Sequence, residues 1–326
     1  MALVCKMQHL LIAFFFILVN QATSRKLHDS SSIFERHEEW MKKYGRVYKD
    51  KVEKQRRIHI FKRNVEFIES FNAAGNKPYK LSINKFADLT SEEFKASRNG
   101  YRRNKQAILV KATPFKYKLE KERGCYSYQG SRRLCCWAFS AVGAMEGIHK
   151  ITTGTLIALS EQELVDCDTK GKDEGCNGGY MEDAFKFVIK NHGITSEANY
   201  PYNGTNGTCN TKKEASHVAN ITSYEVVPAK SEASLMKAVA NQPVSVSIDG
   251  SGLEFQFYNA GVFTGDCGTE INHGVTAVGY GTTTNGTKYW LVKNSWGSDW
   301  GEKGYIRMQR DVDDKEGLCG IALYSS

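Results

Sequence analysis

Three absences narrow what this chain of 326 residues can be. Its longest unbroken apolar run, at 10–19, is too short to cross a bilayer and nothing later is longer, so a membrane span in the mature product is excluded. There is no internal repeat, which excludes a repeat architecture. Histidines and cysteines at metal-ligand spacing are also missing. Cys135 and Cys136 are adjacent and no two histidines sit at helical spacing, so no metal and no cofactor is expected.

What is present begins with a leader. Lys6 gives a positive start, the apolar run follows, and Ala22 and Ser24 offer small residues for cleavage, so 1–24 reads as a secretory signal peptide. Sequons at Asn203, Asn206, Asn220 and Asn285 fit a glycosylated cargo of that pathway. At 41% hydrophobic and 11% aromatic residues, the chain can bury more than one core. Charge is split along it: residues 1–124 carry 27 Lys and Arg against 13 Asp and Glu, a net +14, and residues 125–326 carry 17 against 23, a net −6. A basic leader on an acidic body can mean a nucleic-acid arm. Here the leader is helical, carries acids too and enters the secretory pathway, so it is read as docking on its own acidic partner, with no nucleic acid involved. Acid pH protonates carboxylates and weakens that attraction.

Helical periodicity fills 33–44 and 51–72, with Ile58, Phe61, Val65 and Ile68 on one face of the second stretch. Residues 99–122 are polar, basic and aperiodic, as a linker would be. From Cys136 the pattern is helical again through Trp137, Phe139, Val142, Met145 and Ile148, and short helices are expected in 155–170 and 180–191, on either side of a glycine-rich loop at 175–179. Beyond Tyr224 strands are expected at 244–248, 275–280, 289–293 and 305–308. A helical first half and a β-rich second half predict an α+β fold of two subdomains with a cleft between them.

The chemistry rests on three residues. Cys136 opens a helix, whose positive end favours a thiolate, and a neighbouring imidazolium would lower its pKa further. By itself a cysteine of a secreted protein reads as disulfide-bonded. His273 and Asn294 change that. The turn Asn285-Gly286 predicts a hairpin that brings both to the same open end of paired strands, where Asn294 accepts from the imidazole and fixes it. Trp296 would cover the pair.

The sequence Cys136-Trp-Ala-Phe-Ser, the Asn-His-Gly around His273 and the Asn-Ser-Trp-Gly from Asn294 resemble the nucleophile, base and orienting amide of papain-like cysteine proteases. Upstream, Glu53, Arg57, Phe61, Asn64, Ile68 and Asn72 resemble the interspersed motif of that family's inhibitory prosegment, and Asn84, Phe86 and Asp88 its second motif, with Ser82 at a usual glycine. The branch it most resembles is the plant senescence-associated one, where a second cysteine directly precedes the nucleophile. The resemblance implies a papain-like fold and a zymogen endopeptidase activated by acid, in a vacuole or lysosome-like compartment or outside the cell. It implies a signal peptide at 1–24, a prosegment at 33–92, a processing region at 93–123 and a peptidase domain at 124–326. Its implied partners are polypeptide substrates, the chain's own prosegment and cystatin-type inhibitors, with a monomeric enzyme. Gly178 and Gly179 fall where backbone pairs with substrate. Tyr180, Met181, Ile271 and Gly274 fall where an apolar specificity pocket would be lined, for a bulky hydrophobic side chain two residues before the cut. Cys167–Cys209 and Cys267–Cys319 are the implied disulfides.

The approach to Cys136 departs from the family. Its opening strand is absent over 118–134, where residue character changes abruptly, as a shifted reading frame or splice boundary would produce. Gln129, the implied oxyanion donor, lies seven residues before the nucleophile instead of six, and Arg133 replaces the cysteine that normally bonds Cys176. Losing an oxyanion donor costs about 10²–10³ in rate, and losing a bridge about 2–5 kcal/mol. Cys176 is thereby left without its partner, and Cys125 and Cys135 are left over. The alternative to an active protease is an impaired homologue that binds or inhibits proteases.

Overall fold

The computed structural model describes residues 33–98, Gly100 and 135–326. The signal peptide, the linker from 101 onward, Cys125, Gln129 and Arg133 lie outside the described residues. Those described form two compact units, one up to Glu66 and one from Phe67 onward.

The first unit holds helix α1 (33–44) and most of α2 (Lys51–Ala74). Asp50 starts α2 by accepting the Glu53 N–H at 2.8 Å, and Gly75 ends it in the left-handed region at φ 64°. Arg57 Nε donates to Glu53 Oε1 at 2.7 Å, one turn apart. Phe61 is buried against the rings of His37 and Trp40, at 5.1 and 5.4 Å, and Asn64 is buried nearby on the same helix.

In the second unit the end of α2 presents Ile68 and Asn72. Asn72 clamps strand β1 (Tyr79–Leu81) by donating to Leu81 O at 2.8 Å and accepting the Leu81 N–H at 3.1 Å. Helix α3 (Ser91–Arg98) follows, crossing the boundary expected at residue 92. A reciprocal cap sets its start: Thr90 Oγ1 accepts the Glu93 N–H, and Glu93 accepts the Thr90 N–H.

Three helices build the first core: α4 (Cys136–Thr153), α5 (Glu161–Cys167) and α6 (Met181–Lys190). Trp137, Val142, Met145, Leu164, Met181 and Val188 meet there. Helix α5 is shorter than its pattern because Ser160 caps it, accepting from Glu163 N. After the short helices α7 (Thr211–Glu214) and α8 (Glu232–Val239) come strand β2 (Val244–Ile248), helix α9 (Leu253–Gln256) and strands β3 (Tyr258–Phe263), β4 (His273–Thr282), β5 (Lys288–Lys293) and β6 (Tyr305–Gln309). The sheet order is β1-β3-β6-β5-β4-β2, antiparallel except for the β3–β6 pair. Strand β3 has no alternating pattern; pairing with β1 and β6 makes it a strand.

Helix α4 lies against this sheet. Ser140 Oγ donates to Val275 O at 2.6 Å, and Ser245 Oγ donates to Ser140 O at 2.9 Å. Gly147 lets Pro243 in, for a Cβ there would stand 2.3 Å from the proline ring. Cys167 bonds Cys209 and Cys267 bonds Cys319. The third bridge corrects the sequence reading: Cys176 is not left without a partner but bonds Cys135, across 41 residues. Moving the bridge by two positions restores the tie that Arg133 removes, because Cys135 sits at the N-cap of α4 with its Cα 4.6 Å from that of Cys176. Among the described residues no helix is long and apolar enough to cross a membrane.

Candidate active site

Cys136 is the first residue of α4 and the one free cysteine among the described residues. Its neighbour Cys135 is fixed by the bridge and by Tyr202, whose hydroxyl accepts the Cys135 N–H at 3.4 Å while its ring stands edge-on to Phe139 at 4.8 Å. The thiol therefore sits at the positive end of a helix held on two sides.

His273 opens β4 and Asn294 directly follows β5, so the hairpin carries both to one end. Its turn closes through Thr283 N donating to Thr287 O at 2.9 Å, with Gly286 at φ 86°. Asn294 Oδ1 accepts the Ser295 N–H at 2.8 Å, which identifies that atom as oxygen. His273 Nε2, 2.8 Å from the same oxygen, must then be the donor. This tautomer leaves Nδ1 unprotonated in the neutral ring, and Nδ1 has no partner among the described residues. Trp296 stacks on the imidazole at 4.8 Å and is itself buried. Gly274 brings the two halves together: its N–H donates to Cys136 Sγ at 3.4 Å, and a Cβ would stand 3.2 Å from Cys136 O.

Burial governs the titration of both groups. It pushes the Cys136 thiol up, opposed by N–H groups of Gly274, Gly100, Trp137 and Cys136 itself. It pulls His273 down to about 4, opposed by the bond to Asn294. In this covered form burial favours the uncharged thiol and the uncharged imidazole.

The cover comes from the segment between Tyr79 and Gly100. Gly179 N–H donates to Gly100 O at 3.1 Å, so residue 100 takes the place of a peptide backbone beside the thiol. Upstream, Asn84 Nδ2 donates to Gln256 O at 2.7 Å and Gln256 Nε2 to Phe86 O at 3.2 Å, while Phe86 and Phe94 stand edge-on to Trp296. Asp88 is buried. Tyr79 pairs β1 with β3 and bonds Glu254 through its hydroxyl.

The other candidates fall as follows. Gly178 closes a small loop by accepting the Glu174 N–H at 2.9 Å, and Trp137 Nε1 braces that loop through Gly175 O. Tyr180, Met181 and Ile271 share one apolar cluster with Cys136, and Met181 Sδ lies 3.3 Å from where a Gly274 Cβ would be. Asn203, Asn206, Asn220 and Asn285 are all exposed. Gln256 and Gly100 carried no sequence signal, since each gains its role from a segment far away in the chain.

Comparison with known proteins places this geometry. Residues 127–326 match the model of the papain family cysteine proteases, and residues 37–94 that of the cathepsin propeptide inhibitor domain. The senescence-specific cysteine protease SAG39 of Oryza sativa subsp. indica is 52% identical over 316 residues, covering 93% of this chain and 92% of the relative. SAG12 of Arabidopsis thaliana is 49% identical over 321 residues with the same coverage. Among solved structures, a recombinant stem bromelain precursor is 44% identical with a TM-score of 0.79, covering 90% of this chain and 97% of its own. The proform of the ragweed pollen allergen Amb a 11 is 42% identical with a TM-score of 0.78, covering 92% and 95%.

Proposed function

This chain belongs to the papain family of cysteine proteases, and from that premise we propose how its residues divide the work of a cysteine endopeptidase made as a zymogen. Cys136 Sγ attacks the peptide carbonyl carbon while His273 Nδ1 takes the thiol proton. The proton then passes to the departing amine as the C–N bond breaks, leaving a thioester on Cys136. His273 next draws a proton from water, whose oxygen attacks the thioester and releases the acid and the thiol. Asn294 holds the imidazole in the donating tautomer throughout. The developing oxyanion is met by the Cys136 N–H at the helix start, with Gln129 as the proposed second donor.

The observation that carries this reading is the single chain of contacts Asn294–His273, Gly274–Cys136 and Gly179–Gly100. The apolar company of Met181, Tyr180 and Ile271 supports a bulky hydrophobic side chain two residues before the cut. We further propose release of the prosegment by acid, processing within 93–123, glycans at the exposed sequons, and a secretory route to a vacuole-like compartment or the exterior. Cystatin-type proteins are the inhibitors such a cleft would take.

The test is acid processing of the full-length chain from a secretory host. Wild type should shorten and then hydrolyse a fluorogenic peptide with leucine or phenylalanine at the second position before the cut. Cys136→Ser should stay full length. Equal processing of both would refute the assignment of the nucleophile.

A further inference from the structure

One buried pair of acids is left unused by this chemistry. Asp168 ends α5, its N–H donating to Leu164 O at 3.1 Å, and Asp173 lies five residues on, in the loop that leads to Gly178 and Gly179. Both are more than nine-tenths buried, at 8% and 4% exposure, and their carboxyl groups are in hydrogen-bond contact. The charged groups facing them among the described residues are Asp183 and Lys186 of α6, and Lys186 is already held by Asp183 at 2.6 Å. Two desolvated carboxylates in contact repel, and one proton shared between them relieves the repulsion. Burial, reinforced by the negative charge of its neighbour, keeps the Asp173 proton far above the ordinary carboxylate range.

The pair is one hydrogen bond from the cleft. Asp173 Oδ1 accepts the Tyr180 N–H at 2.8 Å, in the peptide directly after Gly179, whose own N–H holds the Gly100 carbonyl. There is no slack around Gly179. A Cβ there would stand 2.7 Å from Asp173 Oδ1 and 2.6 Å from the Trp137 ring. A shift of Asp173 away from this backbone would break its bond to the Tyr180 N–H.

We propose that Asp168 and Asp173 are positioning residues that share one proton and thereby hold the Gly179–Tyr180 backbone in the register that pairs with substrate. The proton is present at acid pH and leaves as pH rises. The resulting repulsion swings Asp173 off the Tyr180 amide, so substrate binding weakens in the alkaline range while the Cys136 chemistry is untouched. The inference rests on Gly179 being the substrate-pairing amide.

Two readouts on the full-length chain test it. In the unprocessed chain, hydrogen exchange at the Tyr180 amide is followed from about pH 5 to about pH 9, corrected for intrinsic rates. In the acid-processed enzyme, kcat and KM are followed over the same range. Asp173→Ala should expose the Tyr180 amide and raise KM about tenfold, the loss of one hydrogen bond, with the rate of Cys136 alkylation by iodoacetamide unchanged. Asp173→Asn keeps the acceptor and offers Asp168 an N–H that does not titrate. It should keep the acid-range KM and abolish the alkaline rise that wild type shows. Unchanged Tyr180 protection in Asp173→Ala, or a wild-type alkaline rise retained in Asp173→Asn, would overturn the proposal. The exchange readout needs no turnover, so a chain that hydrolysed nothing would count against the peptidase assignment and leave the clamp to be judged on its own.

Discussion

Replacing Cys135 by serine removes the bridge that most sets this chain apart from the family pattern. The loop it closes spans 41 residues. In the chain-entropy description that closure is equivalent to about 13 cal/mol/K, or about 4 kcal/mol at 25 °C. Set against a total of about 5–15 kcal/mol, such a loss is severe. It is also local, since the bridge joins the cap of the helix that Cys136 opens to the Gly175–Asn177 turn, next to Gly178 and Gly179. Urea unfolding of the full-length chain, followed by tryptophan fluorescence, should show the midpoint falling by about 1–2 M in Cys135→Ser. Peptide mapping without reduction should recover Cys135 linked to Cys176 in wild type. An unmoved midpoint, together with Cys176 linked to Cys125, would refute the reasoning.

Three further outcomes are expected. Asn294→Ala leaves the His273 and Ser295 N–H groups without their acceptor, so kcat should fall about 10²-fold with KM little changed, measured on the processed enzyme. Gly147→Ala drives a methyl group into Pro243 and should cost about 3 kcal/mol in urea unfolding, with Gly171→Ala, in open space, as the milder control. His273, held down to about 4, favours the covered fold above the ordinary imidazole pKa, and that contribution of about 3 kcal/mol is lost as pH falls towards 4. In a Cys136→Ser background, thermal unfolding from about pH 7 to about pH 4 should therefore show a larger fall with His273 present than with His273→Gln.

The sequence made the site legible where chemistry is local. The helix start at Cys136 and the Asn285-Gly286 turn are written in adjacent residues, and the hairpin turns the second into the meeting of His273 with Asn294. The prosegment motif was readable for the same reason, as the i,i+4 spacing of Glu53 and Arg57 becomes a bond directly. What needed the structure was contact across long stretches of chain. Strand β3 exists only because β1 and β6 flank it, and Gln256 gains its role from Asn84 and Phe86, more than 160 residues away. The Cys135–Cys176 bridge was hidden because pairing by family position assigns Cys176 to residue 133, whereas Cα distance assigns it to residue 135. The bond from Gly179 to Gly100 likewise needed the structure, since nothing adjacent to either residue in sequence announces it.

The most direct test of the central claim is alkylation of Cys136 by a tagged epoxide of the kind that inhibits papain-like enzymes, read by mass spectrometry before and after acid processing. The covered chain should label slowly and the processed chain rapidly, at Cys136 alone, with labelling abolished in Cys136→Ser. A folded, processed chain that takes no label would show that Cys136 and His273 do not form a working pair, and the protein would then stand as a protease-binding homologue.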